Sequence, residues 1–496
     1  MKQFSFLYTP LLFIFLFLIS CEDSSDGGGG TEPIPADVEL QNYMWRAMNA
    51  YYYWQDKVAV LSDSRFSTTS ELNNFLADYT DIPAFFYNTL VYQYGIVDRF
   101  SFLVDDYITL ENSFDGISLS NGVEFGLFVL DQTDDRVFGT VRYILPDSDA
   151  SSKDIQRGDI FNRVNGTEMT RGNYQSLLFG QDDYTLGFVT FDNGDPENTD
   201  KEIALSKSQY TENPVYIADV IDSGDEKIGY VMYNAFVGNF DSQLNQAFSE
   251  LKSEGVTELV LDLRYNGGGS VRSSTYLGSM ITGQFPGELF TQERWNPKVM
   301  AYFDGLSEAD RDANLNNYFP SSIAATGEAI SSLVLSKVYI ITSRNTASAS
   351  ELVINSLKPY INVVVVGGQG VGKFVASTTL YDSDDFTRNG SNLADHTYAI
   401  QPIILEELNL LGENNGVLGF EPDLELIESN FDMGILGDPS EPLLNKALVD
   451  INSNFASKTS SKSAVQSFAT FPLGSSKSNT KNFQKMYVDL KRFKQN

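Results

Sequence analysis

The feature that most constrains the fold is a series of short apolar runs, rich in β-branched residues, that alternates with helical segments. The four runs are 228–233 (IGYVMY), 257–263 (TELVLDL), 337–342 (KVYIIT) and 362–368 (NVVVVGG). Runs with no polar face are typical of strands that are buried on both sides. Residues 240–255 and 348–360, between these runs, have the apolar spacing of amphipathic helices. The alternation predicts an α/β core over residues 207–453.

A helical region begins the folded part of the chain. Residues 37–112 place apolar side chains three and four positions apart, as in the stripe formed by Leu40, Met44, Met48 and Tyr51. This spacing indicates amphipathic helices, and the many aromatic residues are best explained by core packing. We therefore expect a small helical domain at 37–112.

Residues 113–206 have a different periodicity, with short strand-like runs that are separated by turn signals such as Asn165-Gly166. This stretch resembles a PDZ domain, in which Phe125, Gly126, Leu127 and Phe128 stand where that family has its carboxylate-binding loop. The resemblance implies that a peptide C-terminus is held there by strand addition.

Both ends of the chain differ from its globular middle. Lys2 and the apolar stretch at 4–19 are followed by Leu18-Ile19-Ser20-Cys21, which resembles the lipobox of bacterial lipoproteins. We expect a signal peptide at 1–20, lipidation of Cys21 and a flexible tether to residue 36. An uncleaved membrane anchor is the alternative. The Ser- and Lys-rich tail, 454–496, is expected to be poorly ordered apart from a late amphipathic stretch.

Composition excludes several classes of chemistry. The formal charge of −32 would be repelled by a nucleic-acid backbone, so no nucleic-acid partner is expected. The single cysteine leaves no intrachain disulfide, and one histidine with one cysteine cannot supply the usual zinc ligands. Acid–base chemistry must therefore use His396, a lysine or carboxylates. No metal or organic cofactor is expected.

Three segments of the α/β region contain residue types that are suited to catalysis. The run Asn266-Gly267-Gly268-Gly269 follows a predicted strand, and amides left bare by glycine can stabilise an oxyanion, although a plain glycine turn has the same sequence. Ser348 stands at the start of a predicted helix, where N–H groups favour negative charge. With Glu351 it also fits a capping box that needs no catalytic duty.

The third segment contains Lys373 among apolar neighbours, and desolvation of a lysine favours the neutral amine that a general base requires. The stretch 367–373 also fits the glycine-lysine pattern of a nucleotide-binding P-loop. However, Phe374 replaces the serine or threonine that would bind magnesium, and the following residues predict a strand where a P-loop has a helix.

Together these segments resemble the C-terminal-processing (tail-specific) serine peptidases, which carry a PDZ domain ahead of the catalytic core. The resemblance covers roughly residues 116–447. It implies a multidomain α/β fold with a crotonase/ClpP-like catalytic core, a PDZ-like β-rich domain and the small helical domain. It further implies that Ser348 is the nucleophile and Lys373 its base, with the N–H groups of Gly268 and Ala349 as the oxyanion hole. Ser377 stands where the family often has a glutamine that orients the lysine, so the third catalytic group is open.

We therefore expect a serine-type endopeptidase of the cell envelope, lipid-anchored to the outer membrane. It would cleave extended or unfolded polypeptides, recognised near their C-termini, through an acyl-enzyme. His396 as the base of a conventional triad is one alternative. A non-catalytic peptide- or glycan-binding lipoprotein and an enzyme that acts on a non-peptide ester are two others. The sequence leaves the oligomeric state open.

Overall fold

The structure is a computed structural model that describes residues 35–192, 194–223, 226–458, 470–480 and 483–490. The predicted signal peptide, Cys21 and most of the tether lie outside these residues. Within the described ranges, no helix combines the length and the apolar character that crossing a lipid bilayer requires.

The first part of the chain is helical, as its apolar spacing predicts. Its buried side chains, among them Tyr43, Met44, Met48 and Leu76, form one hydrophobic cluster, which explains why the stripe repeats every three or four residues. Its elements are α1 (Glu39–Tyr51), α2 (Thr69–Ala77), α3 (Ile82–Ala84), a π-helical turn (Phe85–Leu90), β1 (Phe102–Val104) and α4 (Tyr107–Phe114).

The next part is a β-rich domain around a separate hydrophobic cluster. Its elements are β2 (Ile117–Ser120), β3 (Val123–Val129), β4 (Phe138–Ile144), β5 (Ile160–Val164), β6 (Thr167–Glu168), α5 (Tyr174–Phe179), β7 (Asp183–Asp192), β8 (Asp195–Ser206) and β9 (Ser208–Thr211). Strands β3, β4, β5, β7 and β8 are neighbours in one antiparallel sheet.

The third part is the α/β core, and the four predicted apolar runs are strands β11, β12, β16 and β17. Its strands are β10 (Val215–Asp222), β11 (Lys227–Tyr233), β12 (Glu258–Asp262), β13 (Gly269–Ser270), β14 (Leu289–Trp295), β15 (Asn316–Tyr318), β16 (Lys337–Thr342), β17 (Asn362–Gly367), β18 (Val375–Ser377), β19 (Leu380–Tyr381), β20 (Ala399–Gln401), β21 (Ile403–Leu408) and β22 (Leu424–Glu425). Its helices are α6 (Asp241–Ser253), α7 (Val271–Thr282), α8 (Pro297–Asp304), α9 (Glu308–Leu315), α10 (Ala349–Leu357) and α11 (Pro442–Ile451).

The main sheet of this core has the strand order β10-β11-β12-β16-β17-β22, and all its pairs after β10-β11 are parallel. The loops that follow β12, β16 and β17 therefore leave the same edge of the sheet. In open α/β sheets, this carboxyl edge is where ligands usually bind.

The prediction of a poorly ordered tail is wrong for residues 470–480 and 483–490. They form β23 (Phe471–Ser475) and β24 (Met486–Tyr487). Strand β23 pairs antiparallel with β3, and β24 pairs in parallel with β13 and β18. The apolar residues Phe471 and Leu473 pack on the β-rich domain, and Met486 and Val488 pack in the α/β core. This two-residue spacing is a strand signal that the polar composition of the tail obscured.

A second correction concerns residues 125–128, which were expected in a loop. They lie inside β3, every residue of which is buried, between β4 on one side and β23 on the other. Alternate side chains of β3, such as Phe125 and Leu127, enter the cluster of the β-rich domain, while Phe128 packs on its opposite face. This segment is therefore an internal strand, buried on both faces and paired on both sides, and not an exposed loop.

A buried charge network joins the β-rich domain to the α/β core. Arg264, at the end of β12, is fully buried and donates to Asp262, Glu428 and Glu441 at 2.6–3.1 Å. Arg157 of the β-rich domain donates to the same Glu428 at 2.7 Å. Burial alone would raise the pKa of Glu428, but the two guanidinium groups lower it to about 2.

This network predicts an acid-dependent loss of stability. The carboxylate of Glu428 stabilises the fold above its unfolded pKa near 4.5, and this contribution disappears as the pH falls toward about 2. Glu428→Gln should therefore lower the free energy of unfolding by about 3 kcal/mol at pH 7 and by much less near pH 2.5. Denaturant unfolding at both pH values measures the difference. Glu425→Gln, on an exposed carboxylate of β22, is the matched control. An equal loss at both pH values would contradict the assignment.

Candidate active site

Ser348 lies at the first turn of α10, just beyond the carboxyl edge of the main sheet. Its backbone has φ 69° and ψ −121°, a combination that residues other than glycine rarely adopt. The residue is fully buried. Within the described residues its Oγ makes no regular hydrogen bond. Strain of this kind persists only where surrounding contacts hold it, and it is concentrated at functional sites.

The loop before Ser348 is fixed to the glycine-rich loop after β12. Thr346 Oγ1 donates to Leu263 O at 2.8 Å, and Ala347 N–H donates to Asn266 O at 3.2 Å. These bonds join the ends of β12 and β16, which are neighbours in the sheet. The position of the serine is therefore set by two adjacent strands.

Gly268 packs directly against the serine. A Cβ on this glycine would lie 2.6 Å from Ser348 Cβ and 2.9 Å from its Oγ, and φ is +105°. No larger residue fits without displacing the serine. Gly268 N–H, one of the two predicted oxyanion donors, donates to Asn266 Oδ1 at 2.8 Å in this structure. The other, Ala349, is the first residue of α10, where backbone N–H groups have no partner within the helix.

Glu351 connects the serine to the predicted base. Its Oε2 accepts from the N–H groups of both Ser348 (3.0 Å) and Lys373 (2.9 Å), and its Oε1 accepts from Gly372 N–H at 2.8 Å. Burial raises the pKa of Glu351, and the three N–H donors oppose that rise. The carboxylate of the capping box therefore also brings the Lys373 backbone to the serine, so the capping and catalytic interpretations are compatible.

Lys373 is fully buried, as its apolar sequence neighbours predict. Burial lowers the pKa of its amine well below the ordinary value of 10.5, and the nearby Lys485 ammonium lowers it further. The carboxylates of Asp98 and Glu351 act in the opposite direction. The Nζ atom lies 4.9 Å from the centroid of the Phe100 ring.

The amine of Lys373 has a partner other than the serine in this structure. Its Nζ donates to the backbone carbonyl of Gln484, in the C-terminal tail, at 2.9 Å. The helix that a P-loop would require after Lys373 is not found, because β18 begins at Val375. Among the described residues, no group of three or more His, Cys, Asp and Glu side chains is arranged to hold a metal.

Two other candidates form hydrogen bonds with groups other than this amine. Ser377 Oγ donates to Met486 O at 3.1 Å and accepts from Gln401 Nε2 at 3.1 Å, so it contacts the tail. His396 Nε2 is 3.1 Å from Asp382 Oδ2 in the irregular segment between β19 and β20. Neither contact supports a role as the base for Ser348.

The helical domain also reaches this site, which no sequence pattern indicated. Asp98 is fully buried and accepts from Tyr52 OH at 2.8 Å and from the N–H groups of Phe100 and Ser101. These bonds hold the turn that places the Phe100 ring against Lys373. Because the contact joins residues far apart in the chain, no local spacing could reveal it.

Comparison with known proteins finds two models of one peptidase family that match parts of the chain. Residues 227–407 match the model of peptidase family S41, and residues 39–102 match that of the peptidase S41 N-terminal domain. A protein from Bacteroides fragilis assigned to the S41 proteases has a similar fold, with a TM-score of 0.62 and 23% identity over 83% of this chain and 97% of that one.

Two curated proteins are also similar to this chain in sequence. The chloroplastic C-terminal processing peptidase of Tetradesmus obliquus is 25% identical over 313 residues, which is 60% of each chain. The chloroplastic carboxyl-terminal-processing peptidase 2 of Arabidopsis thaliana is 29% identical over 39% of this chain and 32% of its own length. The matches thus span less than two thirds of these relatives. Residues 227–407 are thus a peptidase family S41 domain, and the chain is similar to the C-terminal-processing peptidases.

Proposed function

We propose that this chain is a serine-type endopeptidase that recognises extended or unfolded polypeptides near their C-termini and cleaves them with Ser348 and Lys373. The observation that carries the proposal is that Glu351 holds the backbone of a strained serine at a helix start beside that of a fully buried lysine, the pKa of which is well below its ordinary value. A neutral amine is a base, and a serine needs a base to become a nucleophile.

The reaction follows from these roles. Lys373 takes the proton of Ser348 as Oγ attacks the scissile carbonyl, and it then gives that proton to the leaving amine. The resulting acyl-enzyme is hydrolysed by a water that the same amine deprotonates. The oxyanion is assigned to the N–H groups of Gly268 and Ala349. Gly268 N–H would have to turn from Asn266 Oδ1, or be shared with it, when the oxyanion forms.

Glu351 is proposed as the positioning residue for this pair, since it holds the backbones of both. Ser377 remains a candidate third group. Its hydrogen bond to Met486 O favours a role in binding an extended backbone over one in orienting the amine.

The proposal includes a PDZ-like role for the β-rich domain and a crotonase/ClpP-like architecture for the core. Support for the former comes from β3 and α5, which flank an apolar groove in which an antiparallel strand lies. A cavity of about 290 Å³ extends from this groove to Gly267–Gly269. A substrate strand that took the place of β23 beside β3 would thus lead toward the serine.

Attachment to the cell envelope through a lipid on Cys21 is also part of the proposal. Cys21→Ser should move the protein from the membrane pellet to the soluble fraction and abolish incorporation of a labelled fatty acid. Wild-type protein processed in the same host is the reference. Equal sedimentation of both proteins with membranes would contradict lipid anchoring at this residue.

The catalytic pair is tested by replacing each member in turn. Ser348→Ala and Lys373→Met should each lower kcat for cleavage of a denatured protein by about 10²–10⁴-fold, because nucleophile or base is lost. Lys373→Met should leave the free energy of unfolding unchanged or higher, since it replaces a buried amine with an apolar group. His396→Ala should retain activity.

Product mass spectrometry and labelling by a serine-directed phosphonate measure these outcomes. Activity that survives Lys373→Met and is lost in His396→Ala would overturn the assignment of the base. Peptide binding with neither cleavage nor labelling at Ser348 would favour a non-catalytic binding protein.

The contact between Gly268 and Ser348 gives a second test. Gly268→Ala should lower kcat by about 10²-fold or more, because its Cβ would displace the serine and the adjacent oxyanion donor. Gly255→Ala is the matched control, since Gly255 also has a positive φ of 77° but nothing lies within 4 Å of the point that its Cβ would occupy. Steady-state kinetics and denaturant unfolding separate activity from stability. Similar kinetics for the two variants would contradict the proposed site.

A further inference from the structure

The C-terminal tail occupies the groove of the β-rich domain. Its strand β23 adds to the edge of the sheet antiparallel to β3, with Phe471 opposite Val129 and Ser475 opposite Gly126. Phe471 and Leu473 pack on the same hydrophobic cluster as α5. An extended segment bound in this way is held by main-chain hydrogen bonds and by pockets for alternate side chains.

Beyond β23 the tail is fastened by polar contacts. Ser476 Oγ donates to Glu124 Oε2 at 2.6 Å and accepts from Phe125 N–H at 3.1 Å. The ammonium of Lys477 forms hydrogen-bonded ion pairs with Glu212 at 2.9 and 3.0 Å. These contacts direct the chain from the β-rich domain toward the glycine-rich loop.

Strand β24 of the tail lies between the strand that follows the glycine-rich loop and the strand that follows Lys373. It is placed between β13, which begins at Gly269, and β18, which ends at Ser377. Met486 O accepts from Ser377 Oγ, Val488 N–H donates to Ser377 O at 3.1 Å, and the Met486 side chain is fully buried. The tail thus completes a sheet of the core.

The residues just before β24 contact the proposed base and the glycine-rich loop. Gln484 O accepts from Lys373 Nζ, and Gln484 N lies 3.0 Å from where a Cβ on Gly267 would be. Gln484 has a φ of 53°, so the chain bends there. The next residue, Lys485, places its Nζ 3.9 Å from the centroid of the Phe102 ring, and burial lowers its pKa to about 8.

We infer that the tail segments 470–480 and 483–490 act as an internal ligand that blocks the polypeptide-binding path from β3 to Lys373. In this state the base is bonded to the tail and not to Ser348, and the groove has no room for a second strand on β3. The inference deepens the proposed peptidase function, on which its catalytic consequence rests. It also identifies the path that a substrate takes after the tail leaves.

Covalent attachment makes this block effective even if the segment binds weakly. A tethered segment acts at an effective concentration on the order of millimolar, so a free polypeptide must compete with a ligand that is always present. Release of the tail is therefore predicted to be required for full activity.

A reversible disulfide across β3 and β23 tests the inference. The variant combines Gly126→Cys and Ser475→Cys, which face each other in register, with Cys21→Ser to remove the only native cysteine. The three atoms nearest to the new Cβ at 126 belong to the guanidinium group of Arg142, at the end of a flexible side chain. Oxidation should lock the tail in place, and reduction should release it. Ser475→Cys with Cys21→Ser is the control for thiol chemistry.

A second variant, Leu473→Asp, should release the tail. It would place a carboxylate in the hydrophobic cluster of the β-rich domain, on which Leu473 now packs. Pro472→Asp adds the same charge at the exposed neighbouring position of β23 and is its control.

Two readouts are measured on each protein: binding of a fluorescent peptide with the sequence of residues 470–490, and kcat/KM for a denatured protein. Both should increase in the order locked, wild type, Leu473→Asp, with about 100-fold between the extremes. Equal peptide binding by the oxidised and reduced forms would overturn the inference. If binding follows this order but no form cleaves, the proposed peptidase function fails while the block stands.

Discussion

The site depends on the burial of one amine. Lys373 Nζ lies between the Phe100 ring and the Gln484 carbonyl, and no carboxylate within the described residues forms an ion pair with it. An ammonium ion held this way loses its hydration without gaining a counter-ion, so the neutral amine is favoured. Three parts of the structure contribute to the burial of this amine. The helical domain contributes Phe100, the core contributes Val375 and Ile403, which pack with Phe100, and the tail contributes the Gln484 carbonyl.

Glu351 explains how two residues from different loops come together. Ser348 follows β16 and Lys373 follows β17, which are adjacent parallel strands, but adjacency alone leaves their loops free to diverge. A single buried carboxylate that accepts from the N–H groups of both residues removes that freedom. The charge network around Arg264 fixes the glycine-rich loop, because Arg264 lies in the turn that leads to Gly268.

The sequence was most informative where periodicity or local chemistry was strong. The apolar runs predicted β11, β12, β16 and β17 closely, and the small residues around Ser348 and Gly268 identified two loops that the structure brings into contact. The burial of Lys373 followed from its immediate neighbours.

Contacts between distant residues could not be predicted in this way. The sequence indicated only the helix-capping role of Glu351. Its bonds to Gly372 and Lys373 could not be predicted, because they depend on how β17 packs beside α10. The polar composition of the tail concealed its alternating apolar residues, and their partners lie hundreds of positions earlier. The buried segment at 125–128 was assigned by resemblance to a loop motif, whereas its own apolar run was a strand signal.

Direct titration of the Lys373 amine tests whether it is neutral at working pH, as a general base must be. Lysine labelled with ¹³C at Cε allows each amine to be followed by NMR as the pH is raised, and Lys373→Met and Lys485→Met assign the two buried signals. The Lys373 signal is expected to titrate well below 10.5, with the neutral form present above that midpoint. A midpoint at or above 10.5 would contradict the assignment of Lys373 as the base.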